Sequence, residues 1–279
     1  MIRVGIGGWT YEPWRGSFYP ADLPPSRQLS FASRRLGSIE INGTFYRTQK
    51  PESFRRWAAE SRGGFVFSVK ASRYATSRPR LAEARPSIEH FFKSGVMELG
   101  DKLGPVLWQL PPNKRFDADD LAAFLRLLPR TIEGRSVRHA LEVRHASFRS
   151  PELVSMLRGH GVALVFTDSP KYPSIADLTA DFVYARLQRA QETEPDGYAP
   201  PDLDRWAARV RCWASGGEPD DLPRLTNEPA PTTGPRDCFV YMIDGAKVRA
   251  PAAAMALIER LAPTRSTPPG LSPAGARQA

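Results

Sequence analysis

At 279 residues and 31.0 kDa, with 41% hydrophobic and 25% charged residues, the chain has the composition of a globular protein with a sizeable core. No apolar run reaches the roughly eighteen residues of a membrane-spanning helix, and MIRVGIGGW enters a strand pattern with no signal-peptide region, so a cytoplasmic protein with no membrane partner is expected. The net charge of +9 and pI of 9.8 favour anionic partners, although the arginines are scattered rather than gathered into one basic block.

Short β-rich runs alternate with helix-like stretches along the chain. The predicted strands are Arg3–Gly7, Ser38–Asn42, Phe65–Lys70, Pro105–Leu110, His139–Arg144, Val162–Asp168, Asp181–Leu187 and Cys238–Ile243. Amphipathic segments fall between them at Arg27–Leu36, Glu52–Ser61, Ser87–Leu99, Ala118–Leu128, Pro151–Arg158, Leu203–Trp213 and Ala252–Leu261. Pro51-Glu52 and Pro151-Glu152 suit a first helical turn, and Asp117 suits an N-cap. The connection from Ser169 to Ala180 is short and broken by prolines, which argues against a helix there.

Eight β-then-α units in about 260 residues predict a (β/α)8 TIM-like barrel of the α/β class. A dinucleotide-binding sheet is the rival. Gly5-Ile6-Gly7-Gly8 does follow a strand, but the third glycine of the fingerprint falls on Thr10 and no helix opening follows. The expected organisation is one barrel domain over residues 1–262, with a Gly/Pro/Asp-rich insertion at Ser215–Pro235 and a disordered tail over 263–279. Cys212 and Cys238 have no metal-ligand spacing and are expected as free thiols.

Alternation along each strand gives an inward series. It reads Ser38, Glu40, Asn42 in the second strand, Val66, Ser68, Lys70 in the third, and Leu107, Gln109 in the fourth. The fifth gives Ala140, Glu142, Arg144, the sixth Leu164, Phe166, Asp168, the seventh Phe182, Tyr184, Arg186, and the eighth Val240, Met242, Asp244. Each series ends in a polar or charged side chain at the carboxyl end, the face on which barrel enzymes build their sites. Acids and bases interleave round this ring, so ion pairing among its members competes with ligand binding.

Of four histidines, only His145 is expected at the mouth; His90 falls on a helix, His139 at a strand's start and His160 before a strand. A histidine metal cluster is therefore not expected, and no cofactor is predicted. The carboxylates Glu40, Glu142, Asp168 and Asp244 could hold a divalent ion weakly. No GxSxG, Walker or HExxH motif occurs. The candidate catalytic residues are Glu40, Glu142, Lys70 and Asp168, with Arg144 and Arg186 for an anion. Trp9, Asn42, Tyr46, Gln109, His145 and Asp244 complete the candidate substrate contacts. The first loop, WTYEPWRGSFYP, carries five aromatics, most of which are expected to pack on one another; Trp9 and Tyr46 are the candidates for stacking on a ligand.

The segments GGWTYEPWRGSFYP, SIEINGTFY, FVFSVKASRYAT, GPVLWQLPPN, LEVRHASF, VFTDS and FVYARLQ resemble, in order, domain-of-unknown-function family 72, the YecE-like proteins. The resemblance runs from about Val4 to Leu261 and implies a TIM-like barrel; it implies no activity. Glu40, Asn42, Tyr46, Lys70, Gln109, Glu142, Arg144, His145, Asp168 and Arg186 match the family pattern. Three places depart from it: Thr76-Ser77 replaces a Thr-His, Gln188-Arg189 a His-Gly, and Met242-Ile243-Asp244 a Phe-Asn-Asn. The expectation is an enzyme acting on a small anionic or sugar-like substrate with carboxylate acid–base chemistry. The alternatives are a nucleic-acid-binding or phosphodiesterase-like barrel, and a catalytically inactive descendant that keeps the pocket. Oligomeric state is left open.

Overall fold

The computed structural model describes residues 1–263, so the expected disordered tail lies, but for Pro263, outside the described residues. Besides a short antiparallel pair, Thr131–Ile132 with Arg135–Ser136, its strands form one sheet: β1 (Ile2–Gly7), β2 (Ser38–Ile41), β3 (Val66–Lys70), β4 (Leu103–Gln109), β5 (His139–Glu142), β6 (Ala163–Leu164), β7 (Phe166–Asp168), β8 (Phe182–Leu187) and β9 (Asp237–Met242). All pair in parallel, in the order β6-β5-β4-β3-β2-β1-β9-β8-β7. Only Val165 separates β6 from β7, and its N–H donates to the Leu141 carbonyl at 2.9 Å. The predicted sixth strand is thus one stretch of chain that pairs with β5 in its first half and with β8 in its second. That stagger closes the ring at eight positions, a TIM-like barrel.

The helices are α1 (Gln28–Arg35), α2 (Gly43–Tyr46), α3 (Pro51–Glu60), α4 (Arg73–Thr76), α5 (Arg85–Lys93), α6 (Ala118–Leu127), α7 (Pro151–His160), α8 (Pro200–Ala214) and α9 (Ala250–Leu261). Asp117 caps α6 by accepting from Asp120 N–H at 3.0 Å, and Pro51 and Pro151 open α3 and α7. The spacing predicts one helix over Ser87–Leu99, but α5 stops at Lys93 and a 3-10 segment, Val96–Lys102, follows. Gly95 makes the break: its φ is 103°, and a Cβ there would lie 2.6 Å from Pro51 Cα, so the turn needs glycine both for its backbone and for its contact with α3.

No helix follows β7 among the described residues. The Ser215–Pro235 insertion covers that flank instead. The Asp177 carboxylate accepts from Leu225 N–H (2.6 Å), Thr226 N–H (3.0 Å) and Thr226 Oγ1 (2.7 Å). Buried Arg236 ties the insertion's base by donating to the Gly216 and Gly217 carbonyls, both at 2.8 Å. Ile175 and Leu178 are buried beneath it. Burying such side chains stabilises by about 1.5–3 kcal/mol each, so irregular backbone does here what a helix face does elsewhere.

Two apolar layers result. One lies between sheet and helices; the other fills the barrel with Val66, Leu107, Ala140, Val165, Phe182, Tyr184, Phe239, Tyr241 and Ile243 among others. This second layer corrects the inward series of two strands. The barrel interior takes Ala163 and Val165, not Leu164 and Phe166, and Phe239, Tyr241 and Ile243, not Val240 and Met242. Volume decides it: four aromatics from β8 and β9 already fill the bore, so β6 and β7 turn small residues inward. Phe166 packs outward on Trp206 and Trp213 of α8, at 5.8 and 5.7 Å between ring centroids.

Candidate functional site

A polar layer caps the apolar plug. Arg186 of β8 is the hub, fully buried. Its Nε and Nη2 donate to Glu40 Oε2 and Oε1 at 3.1 and 3.0 Å, and its Nη1 donates to Glu142 Oε2 at 2.5 Å. Tyr184, one step deeper on the same strand, donates its hydroxyl to Glu40 Oε2 at 2.6 Å. Glu142 also accepts from Gln109 Nε2 (2.7 Å) and Arg144 Nε (2.8 Å). One guanidinium therefore spans the barrel from β2 to β5. Fork geometry makes this a job for arginine rather than lysine.

The electrostatics follow. Burial pushes the Glu142 carboxyl up, but Arg186, Arg144 and the Gln109 amide outweigh it and hold the group at about 2. The Arg186 guanidinium loses solvation yet sits on two carboxylates, which hold its proton more tightly than usual. Neither Glu40 nor Glu142 retains accessible surface. Both are covered by the groups that donate to them.

That space is a cavity of about 480 Å³ at the carboxyl end of the strands, within the ordinary range for small-molecule sites. Lys70, Arg144, Arg186 and Lys247 line it, against a single carboxylate, Asp244. Asn42, Ser77 and Gln109 add neutral polar groups; Trp14, Phe45 and Tyr46 supply an aromatic wall. Room for it comes partly from β1, where a Cβ on Gly7 would lie 2.7 Å from Ile243 and 2.9 Å from the Asn42 amide. Lys70 Nζ stands 4.0 Å from the centroid of the Phe45 ring, and among the described residues no carboxylate pairs with it. Burial and the neighbouring Arg186 charge lower its pKa to about 8.

The structure brings Glu40, Lys70, Gln109, Glu142, Arg144 and Arg186 together and adds Asn42, Tyr46 and Asp244 at the rim. Asp244 sits past the end of β9 with a φ of 61°, exposed, rather than as the last inward residue of the strand. The expected mouth position of Asp168 is corrected. Arg186 is in register with Thr167, so Asp168 points to the outer side, where it accepts from Arg189 Nε at 2.7 Å and lines a depression with Asp202 and Arg205. Burial raises its pKa against the pull of Arg189.

His145 also misses the cavity: its Nδ1 caps the turn Ala146–Phe148 by accepting from Ser147 N–H at 3.1 Å. Trp9 packs edge-on against Trp57, 5.2 Å between centroids, and is not a cavity wall. Most of the first loop's aromatics do pack together, as Tyr11, Trp14, Phe18 and Tyr19 show. Four side chains of the cavity, Trp14, Phe45, Ser77 and Lys247, were not among the candidates from sequence. Lys247 follows the last strand by five residues, within reach of the loop logic that singled out Asp244; Ser77 stands where the family pattern has a histidine. Among the described residues, no three His, Cys, Asp or Glu side chains converge to hold a metal ion. Glu40 and Glu142 are committed to Arg186, and Asp168 lies on the other side of the strand.

A family described as a protein of unknown function, DUF72, matches residues 3–277. The chain belongs to that family. A DUF72 protein from Thermotoga maritima is 21% identical with a TM-score of 0.70, over 94% of this chain and 99% of that one. One from Enterococcus faecalis is 14% identical with a TM-score of 0.68, over 98% and 100%. SacUVDE, 12% identical with a TM-score of 0.50 over 93% and 99%, shares the fold. No curated protein matches the chain.

Proposed function

We propose that this DUF72 protein is an enzyme that binds a small anionic or sugar-like substrate at the barrel mouth, with Lys70 as its acid–base group. The observation that carries the reading is the Lys70 ammonium: buried in the cavity, unpaired by any carboxylate among the described residues, and poised near pH 8. A cation so placed gains its partner when an anion enters, and a group that titrates near the working pH serves either direction of proton transfer.

Arg144 and Lys247 add positive charge to the same space. Glu40 and Glu142, the candidates from strand pattern, act as positioning residues through Arg186. Glu142, held at about 2, is a poor base at neutral pH, and neither glutamate has accessible surface in the cavity. Gln109 and Asn42 would orient hydroxyl or carbonyl oxygens, and Tyr46 would cover one face of the ligand.

The test is a thermal-shift panel of sugar phosphates, carboxylates and neutral sugars, followed by incubation of each hit and product analysis by NMR. The expected result is a rise in Tm with anionic members, lost in Lys70→Met, and a product formed by wild type alone. Anionic hits left chemically unchanged would reject the enzyme in favour of the ligand-binding descendant. Stabilisation by neutral sugars alone would reject the anionic assignment.

A second reading, nucleic-acid binding, draws support from two exposed tyrosines on the mouth face, Tyr46 (64% exposed) and Tyr74 (61%), the latter under Arg73 at 5.5 Å. It requires oligonucleotide affinity that falls steeply with salt; affinity indifferent to salt would exclude it.

A further inference from the structure

Beyond Arg144, on the side away from Lys70, a second depression of about 320 Å³ opens on the same face. It is lined by Arg144, Arg149, Lys171 and Arg189, with Tyr172 and Ser169 between them and no carboxylate in its lining. Four cations facing one small space repel one another, and only two of them are held by a carboxylate. Arg189 is held by Asp168 at 2.7 Å, behind the depression. Arg144 is held by Glu142 and lies over the Tyr172 ring, 4.3 Å from its centroid. Arg149 and Lys171 are exposed and have no ion-pair partner among the described residues.

Arg144 lines both this depression and the mouth cavity, so its guanidinium stands between the two spaces. Close in the chain to lining residues, Thr167 on β7 and Gln188 just past β8 hold buried polar atoms with no partner, Oγ1 and Nε2. Ser174, another lining residue, donates to the Thr167 carbonyl at 2.6 Å and fixes the loop that carries Lys171 against β7.

We propose that this depression is a second anion subsite, and that the substrate carries two anionic groups: one at Lys70 and one at Arg149 and Lys171, with Arg144 shared between them. The inference rests on the anionic reading of the mouth and narrows it to ligands with two separate anionic groups, such as bisphosphates. A single phosphate satisfies only the inner cations; a second, tethered to it, binds at high effective concentration. Charge-assisted contacts to the outer group then add to affinity instead of replacing the inner ones.

The experiment is calorimetric titration of inorganic phosphate, tripolyphosphate and fructose 1,6-bisphosphate at fixed ionic strength. The proteins are wild type, Lys70→Met, Arg149→Ala/Lys171→Ala, and Arg80→Ala/Arg115→Ala, the last removing the same charge from another part of the surface. Wild type should bind the bisphosphate or the tripolyphosphate at least about tenfold tighter than phosphate. Arg149→Ala/Lys171→Ala should lose that advantage while keeping phosphate affinity, and Arg80→Ala/Arg115→Ala should keep both. Phosphate binding that depends on Lys70, with no advantage for either longer anion, overturns the subsite and leaves the mouth reading standing. An equal loss in both double variants overturns it too, as a general charge effect. If no anion binds wild type, the mouth reading falls and takes the subsite with it.

Discussion

Replacing Arg186 by Met would leave the Glu40 and Glu142 carboxylates buried without the cation that spans them. Three hydrogen bonds to charged partners disappear, at 3.1, 3.0 and 2.5 Å. Each such bond is worth about 1.5–3 kcal/mol, but the desolvation of three ions offsets most of that sum. Experience with broken buried pairs gives a net cost of about 3–5 kcal/mol, because the uncompensated charge stays behind. For a domain of this size that is a fall in Tm on the order of 10 °C.

The sign with pH is specific. In the wild type Glu142 has a folded-state pKa lowered to about 2, so its stabilisation is present above the unfolded value, near 4.5, and is lost as pH falls between the two. In Arg186→Met burial prevails over Arg144 and Gln109 and the Glu142 pKa rises, so the variant gains on the wild type as pH falls. Urea unfolding of both proteins at pH 8 and pH 5 measures this. The expected difference is largest at pH 8 and smaller at pH 5. Equal stability at pH 8, or a deficit that does not change with pH, would refute the account of Arg186 as an electrostatic bridge.

Lys70→Met is expected to stabilise the protein at pH 7, by up to about 3 kcal/mol, since the fall in pKa from 10.5 to about 8 measures what the fold loses by burying that charge. Denaturant melts check it, and the gain should shrink as pH rises from 8 to 10.5. Acid unfolding of the wild type should begin with His139, whose Nδ1 accepts from Trp108 Nε1 at 3.0 Å and whose pKa burial lowers to about 4. Stability therefore falls as pH drops from 6.5 to 4, and His139→Gln should flatten that limb in a pH series of urea melts. Gly5→Ala should cost about 3 kcal/mol or prevent folding, because its Cβ would lie 2.0 Å from the Ser38 carbonyl oxygen in the β1–β2 ladder; circular dichroism melts report it.

Most of the barrel was legible because β-branched runs and 3.6-residue periodicity specify elements locally, and eight such pairs admit few architectures. Strand phase was legible wherever one face is polar: Ser38, Glu40, Ser68 and Lys70 could only point inward together. It failed where both faces are apolar, as in β9, because alternation then carries no information and side-chain volume decides. The error propagated to the site, since reading Phe166 inward put Asp168 at the mouth. The members of the ion network could be named from the strand ends, yet its connectivity could not. Which carboxylate meets Arg186 depends on barrel stagger, a property of the closed ring that no strand encodes alone. The loops were harder still: His145 and Trp9 are consumed by local capping and packing, while Lys247 reaches the cavity from a loop without periodicity.

The central claim is that the unpaired Lys70 ammonium receives an anion. Sulfate tests it most directly, because its charge stays constant between pH 6 and pH 10 and only the protein titrates. Binding should hold steady up to about pH 7, weaken as pH rises through 8, and lose both strength and pH dependence in Lys70→Met. Sulfate affinity that is unchanged between pH 7 and about 9.5, or equal in wild type and Lys70→Met, would contradict the account.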